Sequence, residues 1–211
     1  MAKKHKKRTK STPSHQSRTG GATRRRSRGR FLKLKTWELG VLAVIAGLVI
    51  WAVATEFSGG VDETTFLRLA AQGRERLSDI VSVADAGNAH IPDATYASDY
   101  PTTGPHNPNP LAPGFYSSEQ RPDRLVHSLE HGMIVIYYDE PGDDIADQLR
   151  DWAALYRGPW SGVIVTKKEG QGSEIVLAAW RNLLRLPTFE PTGAAAFVDR
   201  FRGRGPENPV R

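Results

Sequence analysis

The chain has 211 residues, 29 Lys/Arg against 23 Asp/Glu, and no cysteine, which excludes disulfides, thiolate metal ligands and cysteine nucleophiles. Its formal charge of +6 conceals a split: residues 1–35 hold 14 Lys/Arg and no acid, and the remainder is net −8. The basic character therefore belongs to a tail, and the length allows one domain of ordinary size beyond it.

Residues 1–35 are Lys, Arg, Ser, Thr and Gly with little apolar content, so they cannot bury enough surface to fold and are expected to be disordered and cytoplasmic. Such a tail is drawn to anionic lipid, at about 1 kcal/mol per basic residue near a charged surface, and offers no specific reading of nucleic acid. Leu39 to Thr55 then runs 17 positions without a charge, between Trp37 and Glu56. This is enough for a membrane helix, placed over 36–56, since about 20 apolar residues cross a bilayer. Basic residues before it and acids after it set the tail inside and the rest outside the cytoplasm, as a single-pass protein of the cell membrane. Ala52-Val53-Ala54 resembles a processing site, so cleavage after Ala54 is the alternative to a retained anchor.

Residues 57–83 read as a stalk, with a short amphipathic helix over Val61 to Ala70. From 84 to 123 periodicity disappears, and five prolines between Pro101 and Pro113 stiffen a long loop. A helix over Arg124 to His131 is stopped by Gly132, and Met133 to Tyr138 is a buried strand. A helix follows to about Tyr156, then strands at Val163–Thr166 and Glu174–Trp180, then a helix capped by Thr192. The expected fold is an α+β domain over 84–207 in the order βαββα, preceded by the Pro-rich loop.

The chemistry concentrates in His127-Ser-Leu-Glu130-His131. On a helix, residues 127, 130 and 131 fall within about 100° of one another, and imidazoles at i, i+4 can share one divalent metal. His106 follows the rigid turn Thr103-Gly104-Pro105 and joins them as a ligand, with His90 as a fourth candidate. Nitrogen and oxygen donors suit zinc or copper(II) as the cofactor. Glu130 orients an imidazole from behind or, in a hydrolase, acts as general base. The H-x-x-E-H spacing also occurs in zinc peptidases, but Gly132 and a strand cut this helix short. Three readings remain open: a metal-binding domain, a catalytically inert interaction domain with a buried His/Glu network, and a metal-dependent hydrolase.

Tyr100-Pro-Thr-Thr-Gly-Pro-His106, Gly114-Phe-Tyr116 and Leu125-Val-His-Ser-Leu-Glu-His-Gly132 resemble the bacterial proteins grouped as domain of unknown function family 3105. Leu177-Ala-Ala-Trp180 and Phe201-Arg-Gly-Arg-Gly-Pro-Glu207 look like that family's C-terminal end, so the resemblance spans about residues 84–207. It implies an N-terminal membrane helix and no particular activity.

Overall fold

A computed structural model describes residues 61–211. Helix α1 (Glu63–Gln72) opens on Asp62, whose carboxylate accepts the Thr65 amide at 2.7 Å and so satisfies one of the free N–H groups of the first turn. A 3-10 turn, Arg74–Asp79, leads to the two-residue strand β1 (Val81–Ser82). An irregular segment then runs to β2 (Gly114–Glu119), followed by α2 (Pro122–Glu130), β3 (Ile134–Tyr138), α3 (Asp143–Leu155), β4 (Val163–Lys167), β5 (Ile175–Ala179), β6 (Asn182–Leu186) and α4 (Pro191–Phe201).

The strands form one mixed sheet in the order β1-β6-β5-β3-β4-β2. The pairs β3–β4 and β2–β4 are parallel, while β3–β5, β5–β6 and β1–β6 are antiparallel. Period-two alternation divides the apolar side chains between two cores. Ile134, Ile136, Val163, Val165, Ile175 and Leu177 face one layer, with Phe66 of α1, Leu149 and Trp152 of α3, and Phe197 of α4. Phe66 meets Trp152 and Tyr156 edge-on, at 5.0 and 5.1 Å between ring centroids. On the opposite face Val135, Tyr137, Ile164 and Val176 pack under Leu125 and Leu129 of α2 and under Leu111. Helix α2 is roofed by the chain that precedes β2. The Ser128 hydroxyl donates to the Leu111 carbonyl at 3.1 Å and accepts the Leu111 amide at 2.9 Å. This roof makes a helix with charged and polar residues almost wholly buried.

The expected membrane helix followed by βαββα is corrected on both counts. Among the described residues no helix is long and apolar enough to cross a membrane; the longest, α3, has 13 residues, five of them charged. The span expected over 36–56 and the tail expected to be disordered lie outside the described residues. The sheet has six strands, because three edge or near-edge segments lack the apolar run that marks β3. The second half of β2 is Ser117-Ser118-Glu119, all exposed, and pairs only with β4 across a register irregularity. Strand β6 follows β5 through a turn at Arg181, which takes a left-handed φ of 60° without a glycine to announce it. β1 is too short to carry any alternation.

Candidate metal centre

Helix α2 ends where Gly132 turns left-handed, at φ 89°, a conformation that favours glycine. The C-terminal segment closes over this end. The Gly203 amide donates to the Gly132 carbonyl at 2.8 Å, and Gly205 lies so close that a β-carbon on it would stand 2.1 Å from the Glu130 carbonyl oxygen. Two glycines thus allow backbone to touch backbone, and the contact carries Glu207 to the histidines. From the other side, the 86–106 segment is tied to itself. The His106 amide donates to Ala89 O at 2.9 Å and the Ile91 amide to His106 O at 2.7 Å, which fixes His90 beside His106.

Two overlapping groups of side chains are close enough to hold a metal ion. The deep group is His90, His106, His127 and Glu130; the outer group is His127, His131 and Glu207; within each, all ligand atoms lie within 4.8 Å of one another. All four histidines singled out in the sequence are therefore in one cluster, but no such group among the described residues contains all four. His127 is the shared member. Its ring stacks on His90 at 4.7 Å and meets His131 edge-on at 4.6 Å. Glu207 was not singled out in the sequence: it lies 76 residues after His131, and no local pattern links the two.

The ring nitrogens have distinct partners. His127 Nδ1 lies 2.6 Å from Asn107 O, His106 Nδ1 2.8 Å from Gly104 O, and His131 Nδ1 3.3 Å from Pro159 O. A carbonyl oxygen only accepts, so each Nδ1 carries the proton, and in the neutral ring Nε2 presents a lone pair. This is the arrangement that orients a histidine for a metal through its second nitrogen. The lone pairs converge. His127 Nε2 and His131 Nε2 are 3.1 Å apart, and His131 Nε2 is 3.0 Å from Glu207 Oε2. His106 Nε2 is 3.1 Å from Glu130 Oε2 and has no other polar partner among the described residues, and His90 Nε2 is 3.7 Å from the same oxygen. The other carboxylate oxygen of Glu130 accepts from Asn88 Nδ2 at 2.7 Å.

Electrostatically this cluster asks for a cation. Lone pairs and carboxylate oxygens at about 3 Å repel unless a proton or metal lies between them, and Glu130 has only 3% of its side chain exposed. Burial pushes the His127 imidazole below its ordinary value; the Asn107 carbonyl opposes this, and His131, His106 and His90 reinforce it. That imidazole is thus kept neutral and ready to ligate. Trp160 stacks on His131 at 4.0 Å and Trp180 meets His106 edge-on, walling the cluster with aromatic surface. His90 and Glu207 are the exposed members, with 47% and 40% of their side chains open to solvent. A cavity of about 350 Å³ beside Gly205 and Pro206 is lined by none of the histidines.

The family model described as Protein of unknown function (DUF3105) matches residues 90–211, and the chain belongs to that family. Comparison with curated proteins and with solved structures finds no match.

Proposed function

We propose that this DUF3105 protein binds a divalent transition metal, zinc or copper(II), at its clustered histidines, with His127, His131 and Glu207 as the outer ligands. The observation that carries the reading is the apposition of His127 Nε2 and His131 Nε2 at 3.1 Å, with both Nδ1 atoms on carbonyls. Bonds of about 2.0–2.1 Å to a tetrahedral ion place neighbouring ligands about 3.3–3.4 Å apart, so little adjustment is needed. Copper(I) is disfavoured, because the donors are nitrogen and oxygen. Three protein ligands leave a tetrahedral ion one position for water or an outside ligand. Glu130 fits a charge-balancing role beside the histidines better than that of a hydrolytic base: its carboxylate is buried, held by Asn88 and 3.1 Å from His106 Nε2.

The test is a calorimetric zinc titration of the purified full-length chain. His131→Ala and Glu207→Gln should each weaken the outer ion by at least about tenfold, since each removes a direct bond. His5→Ala, in the basic tail, should change nothing. A chain that takes up neither zinc nor copper(II) would leave protons as the bridging cations and favour an inert interaction domain with a buried ion-pair network.

A further inference from the structure

We infer that the cluster is a two-ion centre, in which His90, His106 and Glu130 hold a second divalent transition-metal ion next to the outer one. This rests on the metal reading above and extends it to a separate set of ligands. His127 belongs by distance to both groups, yet it has only one nitrogen to give, because Nδ1 is committed to the Asn107 carbonyl at 2.6 Å. A single Nε2 lone pair binds one ion. When it serves the outer position, the deep group still keeps two imidazoles and a carboxylate, the same donor count as His127, His131 and Glu207.

Two observations point to a cation at the deep position independently of the outer one. His106 Nε2 is fully buried, unpartnered, and directed at Glu130 Oε2 from 3.1 Å. Glu130 is a buried carboxylate that, among the described residues, accepts a hydrogen bond from a neutral amide, Asn88, and from no cationic side chain. Neither an outer ion nor Asn88 gives the His106 nitrogen a partner; with the neutral ring's proton on Nδ1 against Gly104 O, a cation between Nε2 and Glu130 Oε2 does. The ligands are also preset. The backbone bridge between His90 and His106 holds their rings 5.0 Å apart, and the Gly104 amide to the Gly87 carbonyl at 3.0 Å closes the same segment. Each position brings its own acid, Glu130 below and Glu207 above, to offset the charge of its ion. The half-exposed His90 gives the deep position a way in from solvent.

The experiment counts copper(II) per chain in the purified full-length protein after loading and removal of free metal, with the paramagnetic resonance spectrum as second readout. The expected result is two ions per chain, with spectra broadened by their mutual coupling. His90→Ala should drop the count to one and sharpen the spectrum; His131→Ala should also leave one. His90 is half exposed, so its removal should leave the melting temperature of the metal-free chain unchanged, which separates loss of a ligand from loss of fold. One ion in the unaltered chain, kept in His90→Ala and lost in His131→Ala, would overturn the second position and leave the outer one standing. One ion lost only in His90→Ala, or no ion at all, would overturn both.

Discussion

Substituting Gly205 by alanine tests how the C-terminal segment builds the site. Gly205 does not use the left-handed backbone region, so alanine is excluded there by space alone. Its β-carbon would stand 2.1 Å from the Glu130 carbonyl oxygen and 2.2 Å from the Gly132 nitrogen. Since van der Waals contact lies near 3.5 Å, relief needs a shift of about 1.4 Å. The obstacles are backbone atoms at the end of a buried helix, so the mobile partner is the segment carrying Glu207. A shift of that size would open the 3.0 Å contact between Glu207 Oε2 and His131 Nε2 beyond bonding reach of a shared ion. Overpacking of this kind costs about 1–3 kcal/mol. At about 2 kcal/mol, a domain of this size loses about 4–8 °C in Tm. Differential scanning calorimetry of the metal-free protein and a zinc titration measure the two effects. The expected result is that lower Tm together with at least about tenfold weaker outer zinc. Unchanged melting and unchanged affinity would refute the claim that glycine-to-glycine contact seats Glu207.

Trp152→Ala, which empties a fully buried site against Phe66 and Phe189, should cost about 3–5 kcal/mol in a denaturant melt; a loss under about 1 kcal/mol would contradict that packing. Asp62→Ala, which removes the cap of α1, should cost about 1 kcal/mol, with Asp62→Asn restoring most of it. Because burial depresses the His127 pKa, the folded chain binds fewer protons there than the unfolded one. Its contribution to stability is full above about pH 6.5 and is lost as pH falls from there through the depressed value. Tm of the metal-free protein should therefore fall less between pH 7 and pH 5 in His127→Gln than in the unaltered chain, and parallel profiles would count against this assignment.

The readable parts of the sequence are those whose environment is uniform. Met133 to Tyr138 is apolar at every position because β3 is covered on both faces, so a run of six announces a strand. The apolar spacing of α3 is equally plain, since Leu149 and Trp152 sit one turn apart on its inner side. β2 and β6 are illegible for the opposite reason: one ends in exposed serines and a glutamate, the other in a pattern broken by Arg185. Both depend on a neighbouring strand that local sequence does not show. The candidate site divides in the same way. His127, Glu130 and His131 lie within five residues at a helix end, and helical geometry sets His127 between the other two, Glu130 in the deep group and His131 in the outer one. His90 and His106 are joined by a backbone bridge across a loop without periodicity, and their aim at Glu130 comes from that bridge. Glu207 reaches His131 only because Gly132 and Gly205 let two distant segments touch, a tertiary event with no local signature. The histidines fall into two groups by distance, with His127 in both, and the hydrogen bond from His127 Nδ1 to Asn107 O leaves that ring one nitrogen to share between them.

Elemental analysis of the purified full-length chain, after exposure to zinc or copper(II) and exhaustive removal of free ion, tests the central claim most directly. The expected result is at least one tightly held ion per chain, and, in a separate melt with free metal kept at one hundred times Kd, a higher Tm corresponding to about 2.7 kcal/mol of stabilisation. A chain that emerges with no bound zinc or copper, and melts at one temperature whether or not the metals are present, would contradict it.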